Sequence, residues 1–367
     1  MSAKKTQSGL DIDLGNHCSR VAYDWAKKTF TTREGRMGMP LPGLDGSFSN
    51  LMDFGKVRIA MSSDGIGTKI ELAERTGIFN SLGHDLVAMT VDDLAANGVE
   101  PVCLSNILDV DNLDADIVDA LMSGLHDASV LAEIAVTGGE IAELGSRIGG
   151  YGDQMHFNWG ATAIGMLPDT VEPVTGKGVT PGNVVISLAS NGFRSNGFSL
   201  IRRVMEKTFG EQWHNAPGPD GKRWGEWLLT PCRIYSPLVT ALRKAGVELK
   251  AVAHITGGGV EDNLARMLKT SGYGARLDNL FAPHPFMVEV QRLGEVSEEQ
   301  AYRLWNMGNG MLLVVPEEDA QKALELAEAK GFRAQVGGTI TSTATIEIAT
   351  SGVSPTTLTR NVQETEQ

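Results

Sequence analysis

Several groups of residues in this chain have the types and spacing that handle an anionic ligand with its counter-cation. The first is the turn Ser62-Ser63-Asp64-Gly65-Ile66-Gly67-Thr68-Lys69. Asp64 is an oxygen ligand of the kind Mg2+ takes together with phosphate and water. Gly65 and Gly67 let backbone approach a phosphate closely, and Lys69 offers it a point charge. The second is Asp92-Asp93-Leu94-Ala95-Ala96-Asn97-Gly98-Val99-Glu100-Pro101, with adjacent carboxylates on a predicted helix. The third comprises three glycine-rich stretches, Thr137-Gly138-Gly139-Glu140, Ser195-Asn196-Gly197 and Thr256-Gly257-Gly258-Gly259. Each is predicted to join a strand to a helix, where free backbone N–H groups favour anions, although each is also an ordinary turn sequence. Glu140 is the candidate third metal carboxylate beside Asp64 and Asp93. His254 is either a catalyst or a satisfied structural histidine, and Arg194 either meets a phosphate or faces solvent. No Walker A loop and no Ser/His/Asp or Cys/His arrangement is present. The chemistry indicated is phosphoryl transfer by positioning and charge neutralisation.

These residues need elements to hold them. Residues 56–61 alternate polar and apolar as a half-buried strand and end at the Asp64 turn. Residues 84–97 read as a helix with Leu86, Val87, Val91, Leu94 and Ala95 on one apolar stripe, which leaves Asp92 on the solvated side and Asp93 at the edge. Further strands are expected at 102–110, 134–137, 157–166, 184–189, 251–255 and 311–315, with helices at 114–133, 231–246 and 317–330. The first fifty residues read as irregular and glycine-punctuated, with a loop at 35–50. The alternation predicts an α/β (mixed α+β) fold of two halves. The Pro/Gly/Thr-rich stretch 168–182 is the expected linker, dividing the chain into domains 1–172 and 173–350 with a tail at 351–367.

At 367 residues the chain exceeds one ordinary core. A net charge of −13 speaks against a nucleic-acid surface and anionic membranes. Cys18, Cys103 and Cys232 lie far apart without a Cys-x-x-Cys pair, which suits a reducing compartment and no zinc site. With no long apolar run, a cytoplasmic protein is expected.

The motifs together resemble the phosphoribosylformylglycinamidine cyclo-ligase (aminoimidazole ribonucleotide synthetase) family. Asp64-Gly65-Ile66-Gly67-Thr68-Lys69 is similar to that family's Asp-Gly-Val-Gly-Thr-Lys. Asp93-x4-Gly98-Val99-Glu100-Pro101 is similar to the Asp-x4-Gly-Ala-x-Pro signature of its ATP-binding superfamily. The order continues with residues 9–16, Gly138-Gly139-Glu140-Ile141-Ala142-Glu143, Ser195-Asn196-Gly197-Phe198-Ser199-Leu200, Pro231-Cys232-Arg233-Ile234-Tyr235, Ala253-His254-Ile255-Thr256-Gly257-Gly258-Gly259 and Asn306-Met307-Gly308-Asn309-Gly310-Met311. The resemblance implies the superfamily's two-domain ATP-binding fold, a homodimer built through N-terminal sheets, and ATP with Mg2+ as cofactors. It implies ATP-dependent closure of the imidazole ring of a small ribonucleotide substrate in purine biosynthesis. Carried over residue by residue, it implies catalytic Lys69, Asp93 and His254, and nucleotide contacts from Asp64, Gly65, Gly67, Thr68, Lys69, Asp93, Gly138 and Gly139. Substrate contacts would come from Ser195, Asn196, Gly197, Thr256, Gly257, Gly258 and Gly259, and Mg2+ ligands from Asp64, Asp93 and Glu140. The chain departs from the pattern where Met39-Pro40-Leu41-Pro42-Gly43-Leu44-Asp45-Gly46 replaces a glycine-rich lid. It departs again at Ile141 and Leu144-Gly145-Ser146, at Arg194 in place of a common histidine, and at Asp92 in place of a common asparagine. A paralogue acting on another amide, or a non-catalytic nucleotide-binding regulator on the same fold, is the alternative reading.

Overall fold

The computed structural model describes residues 12–44 and 47–363, with side chains described from residue 17 onward. The first half contains α1 (Ile12–Lys28), β1 (Met39–Pro40), β2 (Asn50–Asp53), β3 (Val57–Gly65), α2 (Ile70–Thr76) and α3 (Ser81–Ala96). It continues with β4 (Glu100–Val110), α4 (Ala115–Ala132), β5 (Ala135–Glu143) and β6 (Phe157–Pro168). Its strands form one six-stranded sheet in the order β1-β2-β3-β6-β4-β5, antiparallel except for the β4–β5 pair. β6 keeps the expected alternation: Phe157, Trp159, Ala161 and Ala163 are buried toward the helices. Residues 169–183 then lead to the second half.

That half contains β7 (Val184–Ala189), α5 (Phe198–Phe209), α6 (Trp224–Leu228), α7 (Ser236–Lys244), β8 (Ala251–His254), α8 (Gly259–Leu268) and β9 (Gly274–Leu277). It ends with α9 (Pro285–Leu293), α10 (Glu298–Leu304), β10 (Asn309–Val315), α11 (Glu317–Ala329), β11 (Ala334–Thr341), β12 (Thr345–Ala349) and β13 (Thr357–Asn361). Its seven-stranded sheet runs β13-β12-β9-β11-β7-β10-β8. The inner strands β7 and β10 are apolar and buried on both faces, as strands covered on two sides must be.

α3 is the axis between the halves. It packs on β3 and β6, on α4, and on α7 and β8 of the second half. Nearly every residue along it is buried, the signature of a helix enclosed on all sides rather than one with a single apolar stripe. Gly83 sits where a β-carbon would lie 2.2 Å from the Gly124 backbone of α4, so the two helices cross at glycine contact.

Three sequence expectations change. The early chain is not wholly irregular: residues 12–28 are helical, and the 35–50 loop carries β1, which pairs with β2. Residues 138–140 are not a strand-to-helix junction but the middle of β5, hydrogen-bonded in parallel to β4. Residues 357–361 are not part of a tail, because β13 pairs along its whole length with β12. No helix among the described residues is long and apolar enough to cross a membrane.

Candidate active site

The cross-strand register decides which carboxylates can meet. Ser62 and Asp64 of β3 pair with Ala163 and Ala161 of β6, whose side chains face the helices. Asp64 therefore points toward the last turn of α3, where Asp93 stands. Ser62 Oγ donates to Asp93 Oδ2 at 3.3 Å, and the Gly65 N–H donates to Asp64 Oδ1 at 2.7 Å. His254, ending β8, places Nδ1 2.8 Å from Asp93 Oδ1. Burial pushes the Asp64 carboxyl above its ordinary pKa; the Gly65 N–H opposes this, the Asp93 charge adds to it, and His254 opposes it. Two mutually repelling, partly desolvated carboxylates gain most from a cation placed between them. Such a pair suits Mg2+, which keeps several waters and takes its remaining oxygens from phosphate.

Above this pair the Arg266 guanidinium of α8 lies 4.6 Å from the Phe48 ring centroid, and the Phe48 and His254 rings lie 6.3 Å apart. Burial lowers the Arg266 pKa, while Asp93 and Asp262 oppose that shift. Neither Arg266 nor Phe48 carries a local sequence signal. They reach the site only because residues 47–53 and α8 fold over it from opposite halves.

Beneath the site, two buried ion pairs revise the expectations for Lys69, Asp92 and Arg194. Lys69 is fully buried, with Nζ 2.7 Å from Asp85 Oδ2 and donating to the Thr230 carbonyl at 3.2 Å. Its ammonium is thus occupied inside the protein rather than presented to a phosphate. Asp92 does not face solvent, because the second half covers that side of α3. Its Oδ1 accepts the N–H groups of Tyr235 and Ser236 at 2.8 and 2.9 Å, and its Oδ2 lies 3.3 Å from Arg194 Nη2. Arg194, expected at a phosphate or in solvent, is at neither: it is buried with a left-handed φ of 63°. Asp85 was missed by sequence reading. It lies seven residues before Asp92, about two helical turns, and likewise accepts a backbone N–H, that of Cys232 at 3.0 Å.

The two expected substrate loops do adjoin. A β-carbon on Gly257 would lie 3.7 Å from Asn196 Nδ2, and Asn263 Nδ2 donates to the carbonyls of Thr256, Gly257 and Gly259, fixing that loop's shape. Gly259 has φ 64°, and a β-carbon there would meet the Tyr302 carbonyl at 1.7 Å, so only glycine fits. Asn196 Oδ1 is buried and has no hydrogen-bond partner among the described residues. Thr68 Oγ1 and Ser199 Oγ are 3.3 Å apart, which brings the Asp64–Lys69 turn against the start of α5. Gly67, at φ 70°, has open space where a side chain would be.

Gly138, Gly139 and Glu140 are not brought to this place. Asp64, Ala161, Asn106 and Gly139 lie in one row across β3, β6, β4 and β5. Three strand spacings put Gly139 about 14 Å from Asp64. Glu140 pairs with Ile107 on the opposite face, so it cannot complete a metal set with Asp64 and Asp93 of its own chain. Among the described residues no group of three or more His, Cys, Asp or Glu side chains is gathered for a metal. A separate cleft of about 680 Å³, lined by His84, Cys232, Arg233 and Lys330 among others, opens near the other end of α3 and includes none of the expected site residues.

Family models match in both halves: the N-terminal domain of AIR synthase related proteins over residues 49–167, and the C-terminal domain over residues 180–350. A phosphoribosylformylglycinamidine cyclo-ligase of Thermococcus kodakarensis is 36% identical over 320 residues, covering 87% of this chain and 90% of that protein. The chain belongs to the phosphoribosylformylglycinamidine cyclo-ligase family. The cyclo-ligases of Pyrococcus horikoshii and Sorangium cellulosum are 33% and 35% identical, covering 95% and 93% of this chain and 98% and 96% of theirs. The fold of this cyclo-ligase family member is also that of the HypE–HypF complex chain, at TM-score 0.60 and 18% identity, with 85% and 92% of the two chains covered. A Thermotoga maritima PurL complexed with ATP matches at TM-score 0.54 and 14% identity, covering 90% of this chain and 46% of that one.

Proposed function

We propose that this chain closes the imidazole ring of aminoimidazole ribonucleotide from formylglycinamidine ribonucleotide, consuming ATP and releasing ADP and phosphate. The observation that carries the reading is the pairing of near full-length cyclo-ligase similarity with an Asp64–Asp93 carboxylate pair beside two glycine loops. The ATP γ-phosphoryl group passes to the formyl amide oxygen, an internal nitrogen attacks the activated carbon, and phosphate leaves with that oxygen. Asp64 and Asp93 would hold Mg2+, which would neutralise the polyphosphate. Gly65 and Gly67 allow the nucleotide close approach, Thr68 is a further nucleotide contact, and Arg266 is the cation that would balance developing charge on the Asp93 side. The loops at 195–197 and 256–259 hold the ribonucleotide, with Asn196 Oδ1 as a free acceptor. His254 holds Asp93.

The acting unit in this proposal is a homodimer in the cytoplasm. The outer face of the first sheet carries Ile59, Met61, Ile107, Ile164 and Met166, with Met61 57% and Ile107 55% exposed. A second copy docked there would cover that apolar face, and would also bring Gly138, Gly139 and Glu140 beside a neighbour's surface. A turnover assay with Mg2+, ATP and formylglycinamidine ribonucleotide tests the whole reading. Equal formation of ADP and aminoimidazole ribonucleotide supports it. ATP binding with neither product removes this substrate and points to another amide.

A further inference from the structure

The cleft of about 680 Å³ lies on the seam between the halves, and the proposed reaction makes no use of it. One wall is His84, in the first turn of α3, with Leu131 and Glu133 where α4 ends. The other is the segment 231–237 together with Lys330 and Phe332 just beyond α11. The volume is that of a site for one small molecule, and Leu131, Ile234 and Phe332 give it apolar walls. Leu131 is 60% exposed, so the first wall has nothing over it in the monomer. Arg233 lies flat in the cleft: its guanidinium carbon is 4.3 Å from the Phe332 ring centroid, and Nη2 donates to the Gly331 carbonyl at 2.5 Å. These contacts fix the plane, and its other N–H groups meet no partner among the described residues. A guanidinium held by its face and one corner offers the remaining edge as a fork for a carboxylate or phosphate.

The charge balance selects the ligand. Lys330 is exposed and forms no ion pair among the described residues, so two cations line the cleft against the one carboxylate of Glu133. Burial pushes the His84 imidazole below its ordinary pKa, with the Asp85 and Asp127 charges opposing, so it enters neutral at pH 7. Two helices end here, but their last carbonyls are occupied. Those of Ser129 and Val130 accept from residues 133–134, and those of Ala327, Leu326 and Glu328 from residues 330–332. On a chain of net charge −13 this is a local positive site with apolar walls. We propose that the cleft binds a small organic anion, a carboxylate or phosphate group carried on a flat apolar body, with the anion on Arg233 and Lys330 and the body against Leu131 and Ile234. His84 precedes Asp93 by nine residues, about 14 Å along α3, so this site is separate from the carboxylate pair. It is seated, however, on the segment whose Cys232, Tyr235 and Ser236 N–H groups hold Asp85 and Asp92, and an occupant touching both walls braces that segment.

The test is a 1H–13C methyl spectrum of the full chain labelled at isoleucine and leucine, titrated at constant ionic strength with benzoate and, separately, with phenyl phosphate. The Ile234 and Leu131 signals are assigned by their loss in I234V and L131M. Both are expected to move along one saturating curve with at least one of the two anions, and to stay in place with benzyl alcohol, the uncharged control. A response to benzoate alone identifies a carboxylate site, and one to phenyl phosphate alone a phosphate site. K330E should weaken the binding about fivefold and E133Q strengthen it about twofold, as single exposed charges do. K207E, on α5 and outside the lining, should leave the curve unchanged. No saturable movement with either anion would overturn the proposal. So would an equal response to benzyl alcohol, or a curve that K330E does not alter. ATP takes no part in these titrations, so their outcome is independent of the cyclo-ligase reading.

Discussion

Replacing Lys69 with methionine decides whether that residue serves the fold or the phosphate. Methionine keeps an unbranched stem of similar length, so packing changes little. The ammonium is lost, and Asp85, fully buried, is left without a counter-charge, keeping the Cys232 N–H at 3.0 Å. Breaking a buried pair by removing one partner costs about 3–5 kcal/mol, because the remaining charge stays in a dry site. For a chain of 367 residues melting as one unit that is a fall of about 4–6 °C in Tm. In K69M/D85N the asparagine oxygen still accepts from Cys232 and no charge is stranded, so most of the loss should return. Denaturant unfolding followed by tryptophan fluorescence and far-UV circular dichroism, with Mg-ATP titration of each variant, measures both quantities. The double variant is expected to bind Mg-ATP within about threefold of wild type, since Lys69 does not face the site. A K69M variant as stable as wild type would refute the ion-pair reasoning. A stable double variant that no longer binds ATP would return Lys69 to the phosphate.

Four further outcomes are expected. Asp93→Asn should abolish Mg2+-dependent ATP binding with the circular dichroism spectrum unchanged; retained affinity, read by isothermal titration, removes Asp93 from the ligand set. Glu261, whose carboxyl burial pushes up to about 7, with Asp262 adding to the shift, binds its proton more tightly folded than unfolded. Its contribution is therefore most favourable below the ordinary carboxylate range and is lost as pH rises toward 7; E261Q should raise Tm at pH 8 more than at pH 5, and equal shifts would contradict this. Ile107→Arg on the outer sheet face should turn a dimer into a monomer by analytical ultracentrifugation, and an unaltered mass would count against that interface. Gly124→Ala places a β-carbon 1.8 Å from the Asn80 carbonyl and should cost about 1–3 kcal/mol in denaturant unfolding.

What could be read from sequence was local. The alternation in β6 and the Asp64 turn rest on neighbours along the chain, and Asp64 and Asp93 do meet across the β3–α3 gap. The Ser195 and Thr256 loops precede α5 and α8 as their glycines require. The failures are of contact at long range. Asp92 reads as solvated because the α3 wheel says nothing of residues 235–236, which cover it. Lys69 reads as a phosphate ligand because its partner, Asp85, lies on α3 outside every motif, about two helical turns before Asp92. Gly138 and Gly139 suggest a phosphate loop, yet a β-carbon on Gly139 would come 2.8 Å from Asn106 Nδ2, so close strand packing alone accounts for glycine there. Arg266 and Phe48 have no local signature and enter the site only through tertiary folding.

The geometry of α3 explains how the carboxylate proposed to hold the cation, Asp93, can depend on residues that lie outside the site. Asp85 and Asp92 lie on one side of the helix, two turns apart, and each accepts backbone N–H groups from residues 232–236 while pairing with a buried cation. The N–H groups that hold Asp92 open α7, so the helix dipole also favours its negative charge. Neither buried charge is left uncompensated, and each clamp joins the two halves of the chain. Asp93 follows Asp92 directly, about 100° round the helix. Any rotation of α3 that slackened the Asp92 clamp would swing Asp93 away from Ser62 and His254 by the same angle. The clamps therefore set the register of the first half, which holds Asp64, against the second, which holds the 195–197 and 256–259 loops. Under the proposed function, that register is the condition for a nucleotide on the carboxylates to reach a ribonucleotide on the loops.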